Sequence, residues 1–112
     1  MTRYKGLQTF IRRYQQRYED KGRFLQFSAA CAERAQRYAD IDPNARGSAR
    51  IAREANKDAQ AMTGDWVASV CACADATAEA AADAAISVVA DMAAFAEERK
   101  QQWAHLVALF EE

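Results

Sequence analysis

The sequence predicts an all-α fold, a small helical bundle of about four helices. Three observations carry it. Apolar residues recur at spacings of three and four along most of the chain. Alanine, the strongest helix former, supplies 27 of the 112 residues. One proline and four glycines leave few helix breaks. The length suits one domain, residues 1–112.

Tyr4, Leu7, Phe10, Ile11, Tyr14 and Tyr18 fall on one stripe, which places a first helix at roughly 3–20. Gly22 is a plausible terminator. A second pattern, Phe24/Leu25, Ser28, Cys31/Ala32, Ala35 and Tyr38/Ala39, is rotated from the first and predicts a separate helix over 23–40. Asp40 to Gly47 contains Asp42-Pro43 and reads as the clearest loop. Ser48 is a suitable N-cap for a third helix over 48–63, with Ile51, Ala55, Ala59 and Met62 on its buried side.

From residue 65 to 110 neither Gly nor Pro intervenes. Val67, Val70, Ala74, Thr77, Ala81, Ala84 and Val88 alternate spacings of three and four, and Met92, Phe95, Arg99, Trp103, Leu106 and Phe110 continue them. An unbroken helix over 65–110 is ~69 Å long at 1.5 Å per residue. A compact domain of this size has a radius of gyration of only ~13 Å. Two alternatives follow. The helix breaks near Ser87 to Asp91, or the molecule is elongated and buries the stripe against another chain.

Composition favours the second. Leu, Ile, Val and Phe number 18 in all, a small supply for an ordinary core, and mean hydropathy is −0.41 although 51% of residues are nominally hydrophobic. Alanine accounts for the difference. An alanine stripe lets helices approach closely, to the short end of the ~8–10 Å range. The expectation is therefore helical dimer packing, with Val67, Val70, Ala74, Ala81, Val88 and Met92 as the self-association residues.

The net charge of −1 hides an asymmetry. Residues 1–53 hold 12 Lys/Arg and 5 Asp/Glu, while residues 54–112 hold 3 and 11. Arginine outnumbers lysine 11 to 4, and arginine favours interfaces and bidentate carboxylate or phosphate contacts. Arg34, Arg37, Arg46, Arg50 and Arg53 extend the basic surface across the 40–50 segment, and the simplest reading packs this half against the acidic 75–98 segment. Complementary charge of this kind orients partners more than it stabilises them.

The first 27 residues interleave arginine and lysine with Tyr4, Phe10, Tyr14, Tyr18, Phe24 and Phe27, a pattern compatible with nucleic-acid binding. The periodicity opposes it, because the rings share the apolar stripe while Arg12, Arg13 and Arg17 face elsewhere. The candidate partner-binding residues are Arg3, Arg12, Arg13, Arg17 and Arg23, with Trp103 and Phe110 as apolar anchors from the most apolar C-terminal cluster.

Metal and catalytic chemistry are not expected. Cys71 and Cys73 diverge by ~200° on a helix, and the lone His105 is far from them in sequence. One histidine cannot furnish a convincing nucleophile–base arrangement, and no glycine-rich phosphate loop occurs. Glu97-Glu98 reads as an adjacent pair on a solvated face. No cofactor, metal, small-molecule substrate or membrane contact is expected. An odd cysteine count opposes a disulfide framework and fits a reducing, cytoplasmic setting. The charged start of the chain does not read as a signal peptide.

In size and style the chain resembles the small helical regulators of bacteria and phages, such as anti-activators and anti-CRISPR proteins. No residue-level signature carries the likeness. It implies a non-enzymatic protein that occupies a protein partner's surface and blocks or modulates that partner; nucleic-acid binding by the basic half is the alternative.

Overall fold

The structure is a computed structural model that describes residues 21–62, 67–89 and 92–110. Four helices account for nearly all of them: α1 (Lys21–Ile41), α2 (Arg46–Ala61), α3 (Val67–Val89) and α4 (Met92–Phe110). The fold is a small all-α bundle, with no strand among the described residues. The helix expected over 3–20 and the Thr63-Gly64-Asp65 segment lie outside the described residues.

The expected long helix over 65–110 is two helices, α3 and α4, packed on each other. The radius of gyration is 13.2 Å, so the compact alternative is the one realised. α3 is the central element and contacts α1, α2 and α4. This position explains its alanine content. Val70, Cys71, Ala74, Ala78, Ala81, Ala82, Ala84 and Ala85 are all buried, and they cover more than one face. A helix that is apolar on several sides is a buried helix.

α1 presents Phe24, Phe27, Ser28, Cys31, Ala35 and Ala39 to this core, the face predicted from its spacing. Gly22 lies in the first turn of α1, and the helix it is expected to end lies outside the described residues. Ser28 Oγ and Thr77 Oγ1 are 3.1 Å apart across the α1–α3 contact. The Thr77 hydroxyl also donates to the Cys73 carbonyl one turn earlier, at 2.8 Å. Both hydroxyls are thereby satisfied without water.

The expected loop over 40–47 is far shorter than predicted. Asp42 alone separates α1 from a 3-10 turn, Pro43–Ala45, which runs directly into α2. Asp42 is extended (φ −143°, ψ 122°), and its carboxylate accepts from the Asn44 backbone N–H at 2.9 Å. Pro43 follows at the first helical position, where its fixed φ suits a helix and its missing N–H costs nothing. The cap is therefore Asp42, and Ser48 sits within the first turn of α2. Asp42→Ala is expected to lower stability by about 1 kcal/mol, read as a lower urea midpoint with unchanged slope.

α2 buries the expected face in part: Ala59 is buried and Met62 packs on the core, but Ile51 does not take part. Ala49, Ala52 and Ala59 are buried, continuing from Ala45, whereas Ile51 is 60% exposed. The small side chains face α3 because they permit close approach, and the larger isoleucine is left outside.

α4 keeps Arg99 and Leu106 of the expected stripe buried but is rotated by part of a step around them. Its buried residues are Glu98, Arg99, Gln102, Leu106 and Leu109. Trp103 and Phe110 are only half-buried at the core's edge, and Met92 is 67% exposed. The rotation inserts polar groups into the core, and the partners of those groups explain how it is tolerated.

Candidate functional site

Glu98, read as solvated from the sequence, is 1% exposed. Its carboxylate accepts four hydrogen bonds. Arg34 donates from Nε to Oε2 at 2.8 Å and from Nη2 to Oε1 at 2.5 Å. The Tyr38 hydroxyl donates to Oε1 at 2.8 Å, and Gln102 Nε2 donates to Oε2 at 2.9 Å. Gln102 Nε2 also reaches the Ala78 carbonyl at 2.8 Å, while Gln102 Oε1 accepts from Arg99 Nη1 at 3.2 Å. Arg99 Nη2 lies 3.6 Å from Asp75 Oδ1. Arg34 further donates to Gln101 at the rim.

This cluster ties α4 to α1 and α3. Of the five arginines expected to meet the acidic 75–98 segment, Arg34 does so, through Glu98. The hydrogen bond to Glu98 raises the Arg34 pKa further. Burial, reinforced by the Glu98 contact, pushes the Tyr38 phenol up to about 12. Burial, with the Glu98 charge behind it, also pushes the Cys31 thiol well up. Burial raises Cys73 too, with a contribution from Asp58. A carboxylate whose acceptor sites are filled by fixed donors holds helices together; it offers no open position to a reactant.

The candidate residues singled out in the sequence fall in three places. Arg3, Arg12, Arg13 and Arg17 lie outside the described residues, as does the Val67 side chain. Arg23, Trp103 and Phe110 are engaged inside the chain. Arg23 Nε donates to the Leu109 carbonyl at 3.0 Å, and its guanidinium lies 5.3 Å from the Phe110 ring centroid. Phe110 packs on Phe24 at 5.3 Å, with the rings tilted by 58°. Trp103 packs against the core. These contacts fasten the end of α4 to the start of α1, so the expected partner anchors serve the fold.

The expected self-association stripe is also consumed internally. Val70, Ala74 and Ala81 are 0% exposed within the single chain, and Val88 packs against the same core. Of the described members of that set, Met92 is the one left largely exposed.

One exposed surface among the described residues is the outer side of α2. Arg46, Arg50, Arg53 and Lys57 are all exposed, and spacings of four, three and four align them on one face. The stripe is about 16 Å long at 1.5 Å per residue. Among the described residues, no hydrogen bond or ion pair engages any of these four side chains. Arg37 differs, being paired with Glu33 one turn away at 3.1 Å.

The N-terminal part of this stripe borders a cleft of about 590 Å³ between the end of α1 and the start of α2. Gln36, Ala39 and Asp40 line it from α1; Arg46, Gly47, Ala49, Arg50 and Arg53 line it from α2. The corner at Asp42-Pro43 sets the angle between these walls. In the sequence, Arg46, Arg50 and Arg53 stand out only as part of a general basic excess. Lys57 escapes that reading, although its spacing from Arg53 is plain once the helix is placed. The cleft itself has no sequence signal, because the segment joining its two walls reads as a loop.

Among the described residues, no group of three or more His, Cys, Asp or Glu side chains is placed to hold a metal ion. None of the described helices is long and apolar enough to cross a membrane. No protein-family model matches the chain, and no curated protein or solved structure matches it.

Proposed function

We propose that this chain is a non-enzymatic binding protein that sets the cationic face of α2 against an acidic patch on a protein partner and so blocks or modulates that partner. The observation that carries this reading is the aligned stripe Arg46, Arg50, Arg53 and Lys57, exposed and without a counter-ion among the described residues. Cationic side chains presented this way raise the encounter rate with an acidic surface and fix its orientation. Arginine adds bidentate contacts to carboxylates.

A protein partner is favoured over nucleic acid by what borders the stripe. Asp40 and Asp42 stand at its start, and Glu54 and Asp58 flank it further along α2. A bounded acidic patch avoids these carboxylates, whereas an extended phosphate backbone has to pass them. Nucleic-acid binding remains the second reading, favoured by the linear array of four cations. The salt slope separates the two: a nucleic-acid complex loses affinity linearly in log–log form as phosphate counter-ions return. Val70, Ala74 and Ala81 are buried within the single chain, and no dimer is part of this proposal.

The test is affinity capture from the native host with wild type, the double reversal Arg50→Glu/Arg53→Glu and the control Lys100→Glu. Both arginines are exposed and glutamate is a good helix former, so the fold is retained. The double reversal is expected to reduce capture of a specific protein at least about tenfold, while the Lys100 control retains it. Equal capture by all three proteins at low and high salt removes this face from the binding role.

A further inference from the structure

We propose that the cleft between α1 and α2 is a binding site for a phosphate monoester carried by a small hydroxylated molecule, such as a sugar phosphate or a mononucleotide. Its volume of about 590 Å³ lies within the ~300–1,000 Å³ usual for small-ligand sites. One wall carries three guanidinium groups, Arg46, Arg50 and Arg53, none engaged by another described residue. The opposite wall carries Gln36 and Asp40.

The charge balance selects the anion. Three arginines and one aspartate leave a formal +2 in the cleft, and a phosphate monoester carries about −1.5 to −2 at neutral pH. A single carboxylate neutralises half of that. The planar forks of arginine match phosphate oxygens in pairs, which a lysine cluster does not.

Asp40 selects what the phosphate is attached to. Its Oδ1 accepts from Gln36 Nε2 at 3.0 Å, which orients the carboxylate and leaves acceptor capacity. An anion without hydroxyls meets Asp40 as repulsion, whereas a sugar hydroxyl meets it as a hydrogen-bond acceptor. Ala39, Gly47 and Ala49 also line the cleft and add no bulky side chain to it. The site is fixed in shape, because one non-helical residue joins its two walls, and a preformed site loses little ordering entropy on binding.

The inference shares arginines with the docking face but requires no protein partner. It is therefore tested on the chain alone, and its failure leaves the capture experiment standing on its own result. Isothermal titration of the full chain with ribose 5-phosphate, inorganic phosphate and ribose separates the contributions. Ribose 5-phosphate is expected to bind, inorganic phosphate to bind more weakly, and ribose not to bind. Arg50→Gln and Arg53→Gln each weaken ribose 5-phosphate about tenfold, the size of one lost charge-assisted hydrogen bond. Asp40→Asn weakens ribose 5-phosphate and spares inorganic phosphate, while Lys100→Gln changes neither; circular dichroism verifies that each variant is folded. No heat with either phosphate, or undiminished binding by the arginine variants, overturns the site. Equal affinity for phosphate and ribose 5-phosphate overturns the role given to Asp40 and, with it, the ligand class.

Discussion

Glu98→Ala is expected to lower the folding free energy by about 3 kcal/mol, the low end of what breaking a buried ion pair costs. The substitution strands donors that were brought into the protein for this carboxylate. Arg34 loses both arms of its fork, Tyr38 loses its hydroxyl acceptor, and Gln102 keeps only the Ala78 carbonyl for its amide. Arg34 and Tyr38 are partly exposed and regain water, which keeps the loss from being larger. Glu98→Gln retains the shape and some of the hydrogen bonds, and should fall between the two. The double variant Arg34→Met/Glu98→Met should lose less than Glu98→Ala alone, because a matched apolar pair leaves no orphaned charge. Urea unfolding measures all three. A Glu98→Ala variant within about 1 kcal/mol of wild type would show that the cluster does not hold α4 in place.

Phe27→Ala is expected to cost about 3–5 kcal/mol, a large share of the ~5–15 kcal/mol that holds a domain of this size. Phe27 is fully buried, and its ring faces His105 of α4 at 6.3 Å between centroids. Few large side chains fill the core beside it. Among the described apolar residues larger than alanine, Phe24, Leu106 and Val70 are the others at 0% exposure. The alanines around it cannot spread into the vacated space, because helices already close to one another have little room to shift. Ile51→Ala provides the contrast. Its side chain is 60% exposed, and its replacement should change stability by less than about 0.5 kcal/mol. Comparable losses at the two positions would mean that the core does not lie where α1, α3 and α4 converge.

Much of this architecture is legible in the sequence, and the departures have physical causes. The spacing of Phe24, Ser28, Cys31, Ala35 and Ala39 identifies both the helix and its buried face, although Phe27, also buried there, is not part of that pattern. α2 is legible as a helix and only partly in its orientation: Ala59 and Met62 are on the expected side, and Ile51 is not. Ile51 outweighs any alanine in a hydrophobicity pattern, yet close approach to α3 favours the smallest side chain. Glu98 illustrates a second limit. A glutamate is assigned to solvent until its donors are known, and Arg34 and Tyr38 lie more than fifty residues earlier in the chain. The available signal is that Glu98, Arg99 and Gln102 share one face with Leu106, too polar for a stripe and too regular for a surface. The cationic stripe is half legible: arginine enrichment is visible in composition, but its alignment depends on where α2 starts, and Asp42-Pro43 starts it earlier than Ser48 suggests.

The alanines of α3 have a thermodynamic consequence. A buried alanine gives up no rotamer freedom, whereas leucine or isoleucine gives up about 0.5–1 kcal/mol and longer side chains more. A core built this way gains little from each contact but also loses little, so a thin supply of large apolar residues can still be enough. The same economy of apolar surface should appear as a heat-capacity change of unfolding below the usual ~12–15 cal/mol/K per residue. Calorimetry on this chain should therefore trace an unusually flat stability curve, with the fold nearly as secure well away from its temperature of maximum stability as at it.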